Sequence, residues 1–426
     1  MPQAIEQLFE IFLTATGVTI DNRSISGGEI FFGLNGARAN GGAFAKAALD
    51  KGAICCVVDD VTYQIDNKCI VVDDVLATMQ LLAKKYRDTF TFPLLALTGS
   101  NGKTTTKELI AAILATKYRV TATRGNLNNH IGVPLTLLSI KPDCNFAVIE
   151  MGANHQKEIE SYCTYANPDF ALITNIGKAH LEGFGGEAGV LKGKSELFEF
   201  VMQKHGTLFI NSSETALLLL FNKYDKIVKY GFKHDDNTFG KIIHDDEFAT
   251  VILDSLITIK SNLVGDYNAN NIIAAACIGK YFGVNYDEIT AAITAYVPDN
   301  NRSELKLLNG NYFIMDAYNA NPSSMKAALI NFEKLKAENK IAIIGDMLEL
   351  GDYTYAEHQA IIELVSSCNF SQVVTVGSLF AAHLVPNIIH FESAAEAKLW
   401  FDKQLFNGVT ILLKGSRGMQ LETIIL

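Results

Sequence analysis

Ile5, Leu8, Phe9, Phe12 and Leu13 recur at helical spacing, so the chain opens with an amphipathic helix. The pattern then changes to short apolar runs at 29–34, 54–58 and 69–72, separated by Gly and Asp clusters. Helical stretches around 43–51 and 75–86 alternate with them, which predicts a small α/β domain. A second block opens at Pro93 with the buried strand Leu94-Leu95-Ala96-Leu97, a Gly-rich turn and a helix over 104–116. Apolar runs at 146–149 and 170–173 each lead into a polar loop, the pattern of a mainly parallel sheet with helices on both faces. Residues 205–264 carry short β-like runs, including 251–253 and 256–259, and are expected to extend that sheet in antiparallel fashion before a helix over 268–282. Near Pro298 a third block begins, with strands expected at 312–315, 341–344, 373–376, 388–391 and 409–413. The expected organisation is α/β with three domains. A small N-terminal domain spans 1–88, a central mononucleotide-binding parallel-sheet domain 89–297, and a Rossmann-like C-terminal domain 298–426.

Composition narrows the picture. A chain of 426 residues suggests two to four domains, and 49% hydrophobic against 19% charged residues supplies real cores and excludes dominant disorder. Lys+Arg total 36 and Asp+Glu 46, a net charge of −10, which argues against a surface that coats nucleic acid. The seven cysteines are odd in number and lack CxxC spacing, so they read as reduced, buried thiols without a disulfide framework or a zinc site. No apolar stretch approaches the length of a membrane span, and the first helix lacks a basic leader and a cleavage site. A cytoplasmic, soluble protein is expected.

The most informative short motif is Thr98-Gly99-Ser100-Asn101-Gly102-Lys103-Thr104-Thr105, between a buried strand and a helix. Glycines there let backbone N–H groups approach phosphate oxygens, the helix N-terminus adds positive potential, and Lys103 can reach the β/γ-phosphates. Thr104 or Thr105 can offer a hydroxyl to Mg²⁺. The GxxGKT spacing is shorter than the general GxxxxGK[ST] pattern. Further along, Glu150 ends an apolar strand on the edge where parallel sheets bind ligands. It is a candidate Mg²⁺ ligand or, more plainly, a helix N-terminal charge. His180 can ligate a metal, orient a phosphate or simply occupy a loop. Lys192 and Lys194 read by themselves as a solvated face.

Several segments together resemble the Mur ligases of peptidoglycan synthesis, nearly end to end. Besides the phosphate loop they are Asn126-Leu127-Asn128-Asn129-His130-Ile131-Gly132-Val133-Pro134, Glu150-Met151-Gly152-Ala153-Asn154-His155 and Asn175-Ile176-Gly177-Lys178-Ala179-His180-Leu181-Glu182-Gly183-Phe184. In the third block they are Asp316-Ala317-Tyr318-Asn319-Ala320-Asn321-Pro322-Ser323-Ser324, Gly345-Asp346-Met347-Leu348-Glu349-Leu350-Gly351 and Lys414-Gly415-Ser416-Arg417-Gly418. Two third-block segments, Asp316–Ser324 and Gly345–Gly351, look specific to the branch that adds a D-alanyl-D-alanine dipeptide. No DNPR segment of the diamino-acid-adding branch is present.

The resemblance implies an ATP-dependent amide ligase that joins D-Ala-D-Ala to UDP-MurNAc-tripeptide through an acyl phosphate. The substrates are small molecules and the enzyme is expected to be a monomer. By the same resemblance Gly99, Ser100, Asn101, Gly102, Lys103, Thr104 and Thr105 cradle ATP phosphates. Lys103, Glu150, His180 and Lys194 are the catalytic set. Thr104, Glu150, His180 and Lys194 face two Mg²⁺ ions, with Lys194 carried as an N-carbamate. Asn268 and Asn271 stand where the family has an HNxxN helix start near the adenine, with Tyr267 in place of the His. Arg302, Asp316 and Asn319 are implied to reach the nucleotide from the third block. Asp21-Asn22-Arg23 stands where a DSR is usual in the uridine-nucleotide domain, Asn40-Gly41-Gly42 replaces a DGH-like triplet, and Gln156-Lys157 replaces a usual glycine. The competing readings are the diamino-acid-adding ligase, a folylpolyglutamate synthase, a phosphate-loop phosphotransferase and a non-catalytic nucleotide switch.

Overall fold

The computed structural model describes residues 2–36, 40–244, 247–299 and 301–425. The chain divides into two compact units. One comprises Met1–Leu97, Tyr118–Gly152 and Lys157–Ala171, the other Thr98–Lys117, Ala153–Gln156 and Leu172–Leu426.

The first unit begins with the amphipathic helix Pro2–Thr14. Four parallel strands follow in spatial order Gly17–Thr19, Glu29–Phe32, Cys55–Val58 and Cys69–Val71. Cys55–Val58 is buried throughout, as expected for a short apolar run covered on both faces. Phe31, Ala45, Ala48, Cys56, Val58 and Cys69 pack together beneath it. All seven cysteines are free, six of them buried, and burial pushes the Cys55 thiol up to about 12. The helix expected over 43–51 is present as the short helix Ala45–Asp50, and a 3₁₀ turn, Gly41–Phe44, leads into it. Asn40 caps that turn by accepting from the Gly42 N–H at 3.0 Å.

Helix Val75–Arg87 starts on Asp74, whose carboxylate accepts from the Ala77 N–H at 2.8 Å. It ends with Arg87 donating to the carbonyls of Ala166 (3.0 Å) and Asn167 (2.9 Å) and to Asp169 (2.9 Å). Beyond it, the strands Val120–Ala122, Phe146–Glu150 and Leu94–Thr98 run parallel, with Phe146–Glu150 in the middle. The last two are wholly buried, which brings Glu150 to the carboxyl end of a core strand.

In the second unit, helix Lys103–Leu114 packs against helix Asn268–Tyr281. A Cβ at Gly279 would lie 2.5 Å from the Ile113 side chain, so glycine permits the close approach. Strands Thr207–Asn211 and Ile227–Gly231 are parallel, and Ile227–Gly231 also pairs in parallel with Thr238–Ile243. Only Thr238–Ile243, Phe248–Leu253 and Ile257–Val264 are antiparallel. The antiparallel extension expected over 205–264 therefore begins later. Helix Thr215–Phe221 carries the chain over between the first two strands and leaves them parallel, whereas a short turn joins the last two. That turn uses Asp254 and Ser255, at φ 50° and 58°.

Six strands form the remaining sheet, in spatial order Glu304–Leu308, Asn311–Asp316, Thr410–Lys414, Lys340–Gly345, Gln372–Val376 and Ile388–Phe391. All pairs are parallel except the first, a hairpin closed by Asn309-Gly310 at φ 50° and 75°. Glu304–Leu308 is absent from the sequence reading because it is a half-exposed edge strand without a clean apolar face. Its Asn-Gly turn was the available signal. No helix among the described residues is long and apolar enough to cross a membrane.

Candidate functional site

The phosphate loop is held in shape by the strand end that follows it in space. Ser100 N–H donates to the Asn175 carbonyl and Asn101 N–H to Asn175 Oδ1, both at 3.0 Å. Thr174 Oγ1 and Asn175 Nδ2 donate to the Asn101 carbonyl at 2.7 and 3.0 Å. The Ser100 hydroxyl accepts from the Gly177 N–H at 2.8 Å. Two glycines are required by this packing. A Cβ at Gly99, φ 149°, would stand 1.9 Å from Thr174 Oγ1. A Cβ at Gly102, φ 75°, would stand 2.4 Å from Asn271 Oδ1.

Gly102 is the residue from which helix Lys103–Leu114 departs, so the loop ends on a helix N-terminus with its partial positive charge. Lys103 folds back over the loop, donating to the carbonyls of Gly99 (2.7 Å) and Ser100 (3.3 Å), while Thr104 and Thr105 are buried. A rigid backbone cradle, a helix terminus and a lysine in one turn suit a polyphosphate.

Asn268 and Asn271 spend their hydrogen bonds inside the protein. Asn271 accepts from Thr106 Oγ1 at 3.0 Å and donates to Asn268 Oδ1 at 2.8 Å. Asn268 donates to the Val264 carbonyl at 2.9 Å and to Ser303 Oγ at 3.2 Å. Tyr267 shares the Ser303 hydroxyl at 2.8 Å, and burial pushes its phenol up, keeping it neutral. These residues tie the loop helix to the junction that carries Arg302. The Arg302 guanidinium lies 3.6 Å from the centre of the Tyr318 ring, and its Nε is buried with no hydrogen-bond partner among the described residues. Asp316 receives Lys414 Nζ at 2.6 Å, and the same ammonium reaches the Asn319 carbonyl at 3.5 Å. Lys414 is nearly fully buried, so the pair is a fixed feature of the strand ends.

Glu150 is fully buried in the first unit, where Oε1 accepts from Asn128 Nδ2 at 2.7 Å. Asn128 belongs to the Asn126–Pro134 segment, and its amide leaves no room for a Cβ at Gly152, which would meet it at 2.8 Å. A carboxylate in such surroundings favours a cation beside it. In the second unit Lys194 is fully buried, donating to the Ala153 carbonyl at 3.3 Å with Phe184 5.1 Å away. His180, at φ 53°, pairs through Nδ1 with Glu349, itself at φ 64°. That bond holds the Glu349 carboxyl below its usual range. Among the described residues no group of three or more His, Cys, Asp or Glu forms a ready metal cage. Mg²⁺ characteristically takes one or two protein carboxylates and completes its shell with substrate phosphate and water, so a single buried carboxylate such as Glu150 is compatible with that habit.

Contacts from the third block reach the loop itself. Asn321 Nδ2 donates to Asn101 Oδ1 at 2.7 Å while its Oδ1 caps helix Pro322–Lys334. The Lys178 N–H donates to Ser323 Oγ at 3.0 Å, and Lys178 Nζ pairs with Glu357, which raises the ammonium pKa. Thr174, Asn175, Tyr318, Asn321, Ser323 and Lys414 are not marked from sequence as site residues, although all of them except Thr174 lie in the quoted segments. Lys157, where the resemblance expects glycine nearby, adopts φ 72°, so the backbone keeps a glycine-like turn.

Three family models match the chain: Mur ligase family, catalytic domain, over 14–87; Mur ligase middle domain over 97–279; and Mur ligase, glutamate ligase domain, over 301–417. The UDP-N-acetylmuramoyl-tripeptide–D-alanyl-D-alanine ligase of Bacillus subtilis is 35% identical, over 96% of this chain and 92% of its own length. The Escherichia coli enzyme of the same name is 32% identical over 97% and 93%. A crystal structure of MurF from Acinetobacter baumannii superposes with TM-score 0.87 at 28% identity, covering 99% of this chain and 97% of its own. MurF ligase from Thermotoga maritima in complex with ADP shares the fold, with TM-score 0.87 at 24% identity over 97% of both chains.

Proposed function

The chain belongs to the Mur ligase family, and we propose that it joins D-Ala-D-Ala to UDP-MurNAc-tripeptide, splitting ATP to ADP and phosphate. The observation that carries this reading is the phosphate loop whose shape depends on Thr174, Asn175 and Asn271 while Asn321 of the third block bonds directly to it. In this reading residues 1–88 hold the UDP-sugar, 89–297 hold ATP, and 298–426 receive the dipeptide and close on the nucleotide. The enzyme works in the cytoplasm as a monomer.

The substrate carboxylate and the γ-phosphoryl group must meet with their charges neutralised, because phosphoryl transfer of this kind is mostly positioning and electrostatic stabilisation. Gly99 to Thr105 supply N–H groups and a helix terminus to the phosphates. Lys103 exchanges its two loop carbonyls for phosphate oxygens. Glu150, Thr104, His180 and N-carbamylated Lys194 are the groups that would hold Mg²⁺, which supplies charge neutralisation when bound. Carbamylation turns the Lys194 ammonium into an anion, and its burial beside Phe184 and Ala153 shields the carbamate from water. Asn268 and Asn271 hold the adenine-side helix in place, and Arg302, Asp316 and Asn319 approach the phosphates. The dipeptide amine then attacks the acyl phosphate, expelling phosphate and forming the amide, in a site from which closure excludes water.

The test is phosphate release from ATP by purified protein with UDP-MurNAc-tripeptide, with and without D-Ala-D-Ala, and a mass for the UDP-linked product. Dipeptide-dependent release with a product heavier by the dipeptide less water is expected. Turnover with a single amino acid on the shorter precursor would move the chain to the diamino-acid-adding branch. Silence with every amine despite ATP binding would make it a nucleotide switch.

A further inference from the structure

Arg302 sits between two non-glycine residues in the left-handed region, Asn301 and Ser303, both at φ 55°. Such backbone persists where its surroundings over-determine it. Ser303 is buried, and its hydroxyl is held by Tyr267 at 2.8 Å and Asn268 at 3.2 Å. The Asn301 N–H is bonded to Glu304 at 3.2 Å. The junction is thus locked on both sides of Arg302, and the guanidinium it projects lies 3.6 Å from the centre of the Tyr318 ring. The Arg417 guanidinium lies 6.0 Å from the same ring and is anchored to Glu422 at 2.7 Å. Arg302 Nε has no hydrogen-bond partner among the described residues, which leaves the aromatic face as the contact that orients the guanidinium on that side.

We propose that Tyr318 is a positioning residue for the nucleotide: its ring presets the Arg302 guanidinium so that its planar fork meets the phosphate chain of ATP already ordered. This rests on the reading of Arg302 as a phosphate contact. An arginine recognises phosphate through a fork of fixed geometry, and a guanidinium over an aromatic face is attracted to it electrostatically. Presetting removes the cost of ordering a long, rotamer-rich side chain on binding. The benefit is the same in the ground state and the transition state, so it belongs in KM rather than kcat.

Steady-state kinetics of Tyr318→Phe, Tyr318→Leu, Arg302→Ala and the Arg302→Ala/Tyr318→Leu pair test this, with thermal unfolding of each variant as the check on folding. Tyr318→Leu is expected to raise KM for ATP about tenfold, equal to about 1.4 kcal/mol, with little change in kcat. Tyr318→Phe, which keeps the ring, should match the parent. In the Arg302→Ala background Tyr318→Leu should add almost nothing. A Phe variant as impaired as the Leu variant, or a tenfold loss that persists without Arg302, overturns the proposal. An Arg302→Ala variant with unchanged KM overturns the phosphate-contact reading itself. Raised KM in Arg302→Ala beside a native Tyr318→Leu overturns only the role of Tyr318. Should the Leu variant fail to fold, Tyr318→Phe and Tyr318→Trp carry the test: both retain a cation-binding face, and a raised KM in either refutes it.

Discussion

Replacing Gly102 by Ala puts a methyl group where the phosphate loop turns into its helix, and the structure allows the cost to be worked out. A non-glycine residue held at φ 75° carries strain of about 1–2 kcal/mol. The new Cβ would also stand 2.4 Å from Asn271 Oδ1, so the Asn271 amide must swing away. That movement breaks its bonds to Thr106 (3.0 Å) and Asn268 (2.8 Å), each worth about 1 kcal/mol in a buried setting. The single variant should therefore lose about 3–4 kcal/mol.

Asn271→Ala alone breaks the same two bonds and should lose about 2–3 kcal/mol. In the double variant the clash is gone and the bonds are lost only once. Its cost should be about 4 kcal/mol, some 2 kcal/mol less than the sum of the singles. The assay is chemical denaturation followed on the transition that added ADP shifts upward, since ligand linkage marks the unit that binds nucleotide. Strict additivity of the two substitutions would refute the steric argument. So would an Ala variant as stable as the parent.

Lys103→Ala should abolish ATP-dependent ligation while leaving the thermal transition in place, because its bonds to Gly99 and Ser100 lie within one turn; a purified active variant would remove its assigned role. Lys194→Ala should be slow, with partial rescue by added short carboxylic acids measured as recovered phosphate release, and full activity without rescue would exclude the carbamate. His358 donates from Nδ1 to the Thr354 carbonyl and accepts at Nε2 from the Met347 N–H, so it is built to be neutral, and burial lowers its pKa. The unfolded chain therefore takes up a proton first as pH falls through the unfolded histidine value of about 6.5, and stability declines from there until the folded pKa is passed. Denaturation midpoints between pH 7.5 and 5.5 should fall less steeply in His358→Gln, and an unchanged slope would count against it. Asp346, whose pKa burial raises, contributes with the opposite sign and does not mimic this effect.

The phosphate loop was legible because its chemistry is local: two glycines, a lysine and threonines between an apolar strand and a helix. Glu150 was legible for the same reason, as a carboxylate ending a buried strand. The burial of Lys194 is not legible locally: a lysine in a helix reads as a solvated face, and packing of the surrounding helices takes it out of water. Asn268 and Asn271 are bonded to Thr106, Val264 and Ser303, a structural duty that no spacing rule reveals. The edge strand Glu304–Leu308 is not legible in the sequence, because partial exposure blurs the alternation that marks a strand.

By itself the sequence determined the alternation of strands and helices, the three-block organisation, the glycine-bearing strand–turn–helix at 94–114 and the family. Each of these is written in short-range periodicity or in contiguous motifs. Only the tertiary structure decided who meets whom. Asn101 receives Asn321 from 220 positions away, Thr106 meets Asn271 across 165, and Lys414 reaches Asp316 across 98. Arg302 finds Tyr318 because two residues in the left-handed region turn it there. Such partnerships depend on where the sheets and helices pack, and packing responds to the whole buried surface of a domain rather than to any one segment.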